Sequence, residues 1–206
     1  MNFKRKKALI LLSGGIDSGV LLWWAKSRGW KAATLGLKFP GRRKMELAAS
    51  RKLARMSLCK ENFEVEIPFI DPPKASLGCY IPKRNLMYYG LAASLAEKIR
   101  AEIVLGGHIR HDGMVFRDAR PNYLKAIERL ANAESKIKKI RFLFPFIRME
   151  KKDIIRLGKK LRVPFHLTWS CSRDGKKHCW KCNSCKERLG GFRDAGVPDP
   201  LSPFKV

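Results

Sequence analysis

One short segment near the N-terminus restricts the fold more than any other. Residues 8–12 are an unbroken apolar run, residues 13–18 read SGGIDS, and a helical pattern follows at once and closes at Gly29. A short, fully apolar run is typical of a strand buried on both faces, and glycine is favoured just after a helix. The segment therefore predicts a buried strand that turns tightly into a helix.

The same alternation continues along the chain. Strands are predicted near residues 8–12, 31–37, 63–67, 102–106 and 142–146. Helices are predicted near residues 17–28, 43–58, 84–100, 121–138 and 150–161. This alternation indicates an α/β fold, in which a doubly wound, Rossmann-like and mostly parallel sheet carries helices on both faces. We expect residues 1–165 to form this domain and residues 166–206 to form a small segment of helix and loop packed on it.

The SGGIDS turn suits an anion. Two glycines let the backbone bend and approach a ligand closely, and the start of a helix presents free N–H groups and a partial positive charge. Phosphate is the anion that fits best. Glycine turns between strand and helix are common by themselves, and no Gly-Lys-Ser/Thr follows, so the turn is not of the Walker type.

The charge of the chain brings nucleic acid into consideration. Its 206 residues include 44 Lys and Arg against 18 Asp and Glu, a formal net charge of +26. Such a charge attracts polyanions, yet the basic residues are spread over the predicted helices, as on a solvated surface. Direct nucleic-acid binding stays open and is not favoured. The chain contains no glutamine, which fits the avoidance of thermolabile amides in thermophiles.

Composition also favours a cytoplasmic protein. With 45% hydrophobic and 30% charged residues, the chain is typical of a globular domain and not of a disordered segment. No apolar run approaches the roughly 18 residues of a membrane span, and residues 8–12 lack the flanks of a secretory signal. A homodimer stays open.

Four of the six cysteines stand close together near the C-terminus, with the spacing C-x7-C-x2-C-x2-C. They are Cys171, Cys179, Cys182 and Cys185. Closely spaced thiolates can close around one tetrahedral ion, so Zn²⁺ is predicted. An iron–sulfur cluster is the main alternative, because soft thiolate ligands suit it as well as they suit Zn²⁺. A disulfide fits a cytosolic protein poorly. His178 is expected to be a bystander, and Cys59 and Cys79 to be small buried residues.

The turn and its flanks resemble the pyrophosphate loop of the N-type ATP pyrophosphatases, or PP-loop enzymes. The resemblance implies that Ser13, Gly14, Gly15 and Ser18 hold the pyrophosphate moiety of ATP, and that Asp17 orients Mg²⁺ or its water ligands. The full set of positions that it assigns to ATP in this loop is Leu12, Ser13, Gly14, Gly15, Ile16, Asp17, Ser18 and Gly19.

Four further segments extend the resemblance. They are IPKRNLMYYGLAASLAE at 81–97, DGMVFRDARPNY at 112–123, TWSC at 168–171 and GGFRDAGVPDP at 190–200. Together with the loop and the cysteine spacing they closely resemble the QueC family, almost from end to end. The resemblance implies an ATP-dependent ligase that converts 7-carboxy-7-deazaguanine and ammonia into 7-cyano-7-deazaguanine, through an acyl-adenylate and an amide, for queuosine and archaeosine precursors. Free ammonia is expected because the chain has no room for a glutaminase domain.

The resemblance also assigns roles outside the loop. Arg84 and Asn85 match the family's P-x-R-N and would read the nucleotide or the deazaguanine, although such a pair can also merely cap a helix. Asp112, Asp118 and Arg120 match its D…D-x-R-P segment, where the arginine suits a bidentate grip on a carboxylate or phosphate and a surface salt bridge is the alternative. The catalytic candidates are Asp17, Ser18, Asp112 and Arg120.

Three positions depart from the family pattern. Residues 40–43 read PGRR where the family has GQRH, Ile109 replaces an Asn, and Ala119 replaces a Cys. Lost polar groups near a pocket change which acid or base fits it. The alternative is therefore a divergent relative that adenylates another small acid, or a base in tRNA in the manner of a thiolase.

Overall fold

The computed structural model describes residues 6–69, 81–133, 139–173 and 175–204. In these ranges five parallel strands form one sheet in the order β3-β2-β1-β4-β5. The strands are β1 (Lys7–Leu11), β2 (Lys31–Lys38), β3 (Glu61–Glu66), β4 (Ile103–Leu105) and β5 (Arg141–Leu143). The chain crosses from one side of β1 to the other after β3, so the strand order reverses between β1 and β4. Ligands of doubly wound folds bind at this point, beyond the carboxyl ends of the strands.

Seven α-helices accompany these strands in the described ranges. They are α1 (Ile16–Ser27), α2 (Lys44–Met56), α3 (Arg84–Lys98), α4 (Arg110–Val115), α5 (Pro121–Ala131), α6 (Lys151–Lys160) and α7 (Asn183–Ala195). The predicted α/β fold with a parallel sheet is confirmed.

The two faces of the sheet carry separate apolar cores. On one face, Ile10 of β1 belongs to a core that includes residues of α1, α2, α6 and α7, and on the other face Leu9 belongs to a core that includes residues of α3 and α5. Both side chains are fully buried, as the unbroken apolar run of β1 requires. Phe192 of α7 lies in the first of these cores. The division of the chain at residue 165 stays a prediction.

Four strands end earlier than the apolar pattern predicts, β1, β3 and β4 by one residue and β5 by three. β4 stops at Leu105, before Gly106 and Gly107, and β5 stops at Leu143, two residues before Pro145. Proline has no N–H to donate to a ladder, and glycine weakens a strand. The predicted helix near 121–138 is observed as far as Ala131, and residues 134–138 lie outside the described ranges, as does Cys79.

Two of the helices have no clear counterpart in the hydrophobic pattern. α4 is only six residues long and has no buried residue. α7 buries Cys185, Arg188, Phe192 and Ala195, which are spaced as one helical face. An arginine counts as polar in a periodicity analysis, so a face that contains one does not stand out. Nowhere in the described ranges is a helix both long and apolar enough to span a membrane.

Candidate active site and metal centre

The SGGIDS loop connects β1 to α1 at the point where the strand order reverses. Gly14 has a φ of +94°, a conformation that side chains rarely adopt. A Cβ atom added there would collide with the carbonyl oxygen of Glu46 and lie 2.9 Å from the amide nitrogen of Ser50. Glycine is therefore required at position 14 by both the backbone angle and the space.

The two serines of the loop face each other. Ser13 Oγ and Ser18 Oγ are 3.0 Å apart, and Ser13 Oγ also accepts a hydrogen bond from the Gly15 amide at 3.3 Å. Gly15 is the N-cap of α1 and provides no side-chain cap. The N–H groups at the start of a helix have no partner within the helix, so they are available to an anion held by the loop.

Three distant segments hold the loop in place. Arg42 donates from Nη2 to the Ser13 carbonyl at 2.8 Å, and Ser50 Oγ donates to the Leu12 carbonyl at 2.9 Å. The amide of Trp169 donates to the Gly14 carbonyl at 2.9 Å. The TWSC segment of the sequence is thereby tied directly to the phosphate loop. Arg42 was not among the predicted site residues, and only its place in the altered PGRR segment draws attention to it.

Asp17 is paired with a residue that the sequence did not single out. Lys151 Nζ lies 2.8 Å from Asp17 Oδ1 and 2.6 Å from Asp17 Oδ2, and both side chains are about a quarter exposed. Lys151 is the first residue of α6, and among 44 basic residues nothing in the local sequence marks it. Gly191 of α7 packs so closely on the Lys151 side chain that a Cβ there would collide with it.

A cleft of about 610 Å³ opens beside this ion pair. Its wall includes Asp17, Lys151, Asp112, Ile109 and Glu187. Two of the predicted catalytic residues, Asp17 and Asp112, thus line one cavity, and the apolar Ile109 stands where the family pattern has an Asn. Elements from four parts of the chain supply this wall.

Asp112 is held as a carboxylate by its own helix. Its Oδ2 accepts a hydrogen bond from the Ile109 amide at 2.9 Å and lies 3.8 Å from His108 Nδ1. Burial acts to raise the pKa of Asp112, but these interactions with His108 and Ile109 outweigh it, so the pKa lies below its ordinary value. Asp112 therefore presents negative charge to the cleft.

The remaining predicted residues make contacts within the protein. Asn85 is buried, its amide nitrogen Nδ2 donates to the Asp118 carbonyl at 3.1 Å, and its backbone N–H donates to Asp118 Oδ2 at 3.2 Å. Arg84 places its guanidinium 4.7 Å from the centre of the Phe116 ring. Arg120 Nε donates to the Gly113 carbonyl at 3.2 Å. None of these three lines the cleft beside Asp17 in the described ranges, and their binding roles stay predictions.

The four tail cysteines converge. The Sγ atoms of Cys171, Cys179, Cys182 and Cys185 all lie within 4.8 Å of one another. Two of the sulfur pairs are 4.0 Å apart, close to the ~3.8 Å that a tetrahedron with metal–sulfur bonds of about 2.3 Å requires. The backbone N–H groups of Arg173, Cys179 and Cys182 point at these sulfurs, at 3.4 to 3.5 Å. The donor set fits a single metal ion.

The ionisation of the four thiols depends on their surroundings. Burial opposes ionisation of Cys182, but hydrogen bonds from Ser172 and the N–H of Cys185 lower its pKa to about 6. Burial raises the pKa of Cys171 and, together with the neighbouring sulfurs, that of Cys185. Four thiolates at this spacing repel one another, so a bound cation is what would let all four ionise.

His178 is not part of this ligand set. Its Nε2 accepts a hydrogen bond from the Ser170 amide at 3.1 Å, and its ring packs between Trp169 and Trp180. Cys59 is half-buried and donates from Sγ to the Ala32 carbonyl at 3.0 Å. Neither residue contributes to the four-sulfur cluster.

Fold and loop together define the class of the protein, the PP-loop ATP pyrophosphatases. The U34-tRNA thiolase NcsA from Methanococcus maripaludis, solved with its 4Fe-4S cluster, shares the fold with a TM-score of 0.54 at 13% identity, over 94% of this chain and 66% of that one. The NMN synthetase from Francisella tularensis does so with a TM-score of 0.53 at 16% identity, over 94% of this chain and 78% of that one.

The family follows from sequence. The model of the queuosine biosynthesis protein QueC matches residues 7–77 and 56–196. The chain belongs to the QueC family, and it is an ATP-dependent enzyme. The resemblance carried by the loop, the cysteines and the tail motifs is confirmed.

Curated relatives are similar over nearly the whole chain. The 7-cyano-7-deazaguanine synthase of Thermoplasma acidophilum is 34% identical over an alignment of 219 positions, gaps included, which covers 96% of this chain and 92% of the relative. The protein of the same name from Gloeothece citriformis is 34% identical over an alignment of 215 positions, which covers 94% of each.

Proposed function

We propose that this enzyme converts 7-carboxy-7-deazaguanine and free ammonia into 7-cyano-7-deazaguanine, with two molecules of ATP consumed. The observation that carries the proposal is the pairing of a phosphate loop with a charged cleft, in a chain similar from end to end to synthases of that name. We place the reaction in the cytoplasm, where the four tail thiols are kept reduced.

The chemistry requires the substrate carboxylate to become a good electrophile. A carboxylate oxygen attacks the α-phosphorus of ATP, and pyrophosphate leaves. Ammonia then attacks the acyl carbon of the adenylate, AMP leaves, and the amide is formed after loss of a proton. In a second round the amide oxygen attacks the α-phosphorus of another ATP, and a second pyrophosphate leaves. The carbon–oxygen bond to AMP then breaks, and loss of AMP and of the two amide protons yields the nitrile.

The loop residues would bind the leaving pyrophosphate. The backbone N–H groups of the loop and the hydroxyls of Ser13 and Ser18 converge at the N-terminus of α1, where negative charge is stabilised. Lys151 adds a positive charge 2.6 Å from Asp17, next to the same helix. Mg²⁺, when bound at Asp17, would supply further charge neutralisation on the phosphates.

The cleft beside Asp17 would bind the acid. Its volume of about 610 Å³ suits a bicyclic heteroaromatic ring together with part of a nucleotide. Asp112, kept ionised by Ile109 and His108, would accept hydrogen bonds from ring N–H groups or the attacking amine. One observation favours a different acid as the substrate. The wall of the cleft has the apolar Ile109 where the family pattern has an Asn, so the acid would lack the polar group that an Asn side chain binds.

A single Zn²⁺ is proposed for the cysteine cluster. In a four-iron cluster each thiolate binds a different iron, which spreads the sulfurs around the whole cluster core, whereas here all four lie within 4.8 Å. The ion would be structural, because four cysteines leave no open position. We expect one zinc per chain by mass spectrometry of the metal content, and a protein that contains iron and acid-labile sulfide instead would contradict this.

The proposed reaction is tested by its products. The zinc-loaded protein, incubated with Mg²⁺, ATP, ammonium and 7-carboxy-7-deazaguanine, should yield the nitrile, AMP and pyrophosphate in mass spectra. Asp17→Asn should lower the yield at least about tenfold, since removing an electrostatic contact in the transition state costs at least that much. If folded, metal-loaded protein forms AMP with another acid or with tRNA and not with this acid, the alternative holds.

Lys151 offers a matched pair of variants. Lys151→Ala should reduce turnover about ten- to a hundredfold, because it removes the charge that faces Asp17 in the cleft. Lys159→Ala removes an exposed lysine near the other end of the same helix, outside the described lining of the cleft, and should change turnover less than about threefold. Initial rates of AMP formation measure both. Equal losses in the two variants would exclude a specific role for Lys151.

A further inference from the structure

A second cavity lies behind the phosphate loop, between α2 and the cysteine-bearing tail. This cavity, which we call the tail pocket, has a volume of about 500 Å³. The residues of its lining that matter here are Lys52, Trp169, Lys176, Lys177, Trp180 and Leu201. It shares none of its described lining residues with the cleft beside Asp17. The tail pocket is therefore a cavity distinct from the cleft beside Asp17.

One wall of the tail pocket is a stack of aromatic rings. The His178 ring lies 4.3 Å from Trp169 and 5.1 Å from Trp180, centre to centre, and is nearly parallel to the latter at 28°. Trp180 is half-buried, so part of its ring surface stays accessible. Its φ is +57°, which is rare for a bulky side chain and costs on the order of 1 kcal/mol. The ring packs on one side against His178 and meets the Phe204 ring edge-on at 6.3 Å, and it also lines the tail pocket.

The charges around the tail pocket have one sign. Lys176 and Lys177 lie exposed on the tail side, and Lys52 lies exposed on α2 opposite them. Within the described lining no acidic side chain is present, and none of the three lysines forms an ion pair there. As far as the described residues go, the pocket thus presents three ammonium groups without an acidic partner beside an aromatic wall, on a chain with a net charge of +26.

We propose that the tail pocket binds single-stranded nucleic acid, with a base against Trp180 and backbone phosphates at Lys52, Lys176 and Lys177. Aromatic platforms beside a basic groove are the general means of binding unpaired strands, because every base has a π-face and every nucleotide a phosphate. A duplex hides its base faces and could supply only its phosphates. This binding site is additional to the proposed synthase reaction and does not depend on it.

The first test compares two pairs of lysines. Binding of a fluorescein-labelled oligouridylate of about ten nucleotides to the full, metal-loaded chain is measured by anisotropy at low and moderate salt. Lys176→Glu with Lys177→Glu should weaken binding at least about tenfold. Lys159→Glu with Lys160→Glu makes the same charge change at the exposed end of α6 and should weaken it less than about threefold. Equal losses of affinity in the two double variants would mean that binding depends only on the net charge of the protein, and this would overturn the proposal.

The second test concerns the aromatic wall. Trp180→Phe keeps a stacking ring and should bind within about threefold of the parent, whereas Trp180→Leu should bind about tenfold or more weakly. Metal content and thermal melting show whether each variant keeps its fold. If Trp180→Leu does not fold, the two lysine double variants and Trp180→Phe still test the proposal. Equal affinity of folded Trp180→Leu and the parent would overturn the stacking arrangement.

Competition identifies the occupant. An unlabelled oligonucleotide should displace the probe, and a polyglutamate of equal charge should do so far less well, since it has no bases to stack. Polyglutamate that competes equally would assign the pocket to an acidic peptide. Displacement by ATP, competitive with the probe, would instead make the pocket part of the nucleotide site, and either result overturns the proposal.

Discussion

Gly14→Ala should destabilise the protein by about 2–5 kcal/mol and reduce ATP turnover at least about a hundredfold. A side chain at a φ of +94° costs about 1–2 kcal/mol in backbone strain, and forcing an atom into a packed space costs about 1–3 kcal/mol more. The added methyl meets the backbone of Glu46 and Ser50, which cannot rotate away as a side chain could. Any relief must come from movement of the loop, and a misplacement of about 1 Å at a reacting group can cost about a hundredfold in rate.

Gly15→Ala is the control for that substitution. Gly15 has a φ of −77°, and a Cβ atom there would lie 3.5 Å from Ser13 Oγ and 3.8 Å from the Trp169 carbonyl, both ordinary contacts. Its effect on the free energy of unfolding should be about 1 kcal/mol or less. Urea unfolding curves of the two variants measure the difference. Similar stability of both would mean that the loop adapts easily and that Gly14 is not required by the surrounding backbone.

Arg188→Met should lower the free energy of unfolding by about 3–5 kcal/mol. Arg188 and Asp199 are fully buried, and their side chains form two parallel bonds, Nε to Oδ2 at 2.6 Å and Nη2 to Oδ1 at 2.8 Å. Arg188 also donates to Thr168 Oγ1 at 2.8 Å and to the Phe165 carbonyl at 3.2 Å. Methionine fills much of the space but leaves the Asp199 carboxylate buried without its cation, and an unpaired buried charge is the costly outcome.

Two further variants distinguish the effect of breaking the Arg188–Asp199 ion pair from the effect of changing the packing around Arg188. The double variant Arg188→Met with Asp199→Leu should be more stable than Arg188→Met alone, because it removes the uncompensated carboxylate. Arg193→Met, on the same helix, removes an exposed arginine whose partner is the adjacent Asp194, and should change stability by no more than about 0.5 kcal/mol. Thermal or urea unfolding at neutral pH measures all three. A double variant no more stable than the single one would mean that packing around Arg188 dominates.

The Arg188–Asp199 ion pair connects the tail motifs to the phosphate loop. Arg188 of α7 joins the segment at Thr168 to the one at Asp199, and the amide of the next residue, Trp169, donates to the Gly14 carbonyl. The tail is thus connected to the loop through one buried arginine and one backbone hydrogen bond. Polar residues in TWSC and AGVPDP need not touch substrate to be required for activity.

Secondary structure was predictable where one local pattern dominated. The apolar run of β1 and the amphipathic patterns of α2 and α6 place these elements within one or two residues of their observed bounds. Prediction was poorer for α7, because its buried face includes Arg188, whose charge is neutralised by Asp199 eleven residues away. It was also poorer for β5, where Pro145 limits the ladder.

The α/β class, the strand-to-helix phosphate loop and the grouping of four cysteines can be predicted from the chain, since each depends on residues near one another in sequence. The fold is needed to show that Lys151 meets Asp17 across 134 residues, that Arg42 and Trp169 hold the loop, and that Arg188 is buried against Asp199. These pairings cannot be predicted locally, because the burial and partner of a charged side chain depend on which elements the sheet brings together. In a chain with 44 basic residues, only the fold distinguishes the few that are paired inside from the many that face water.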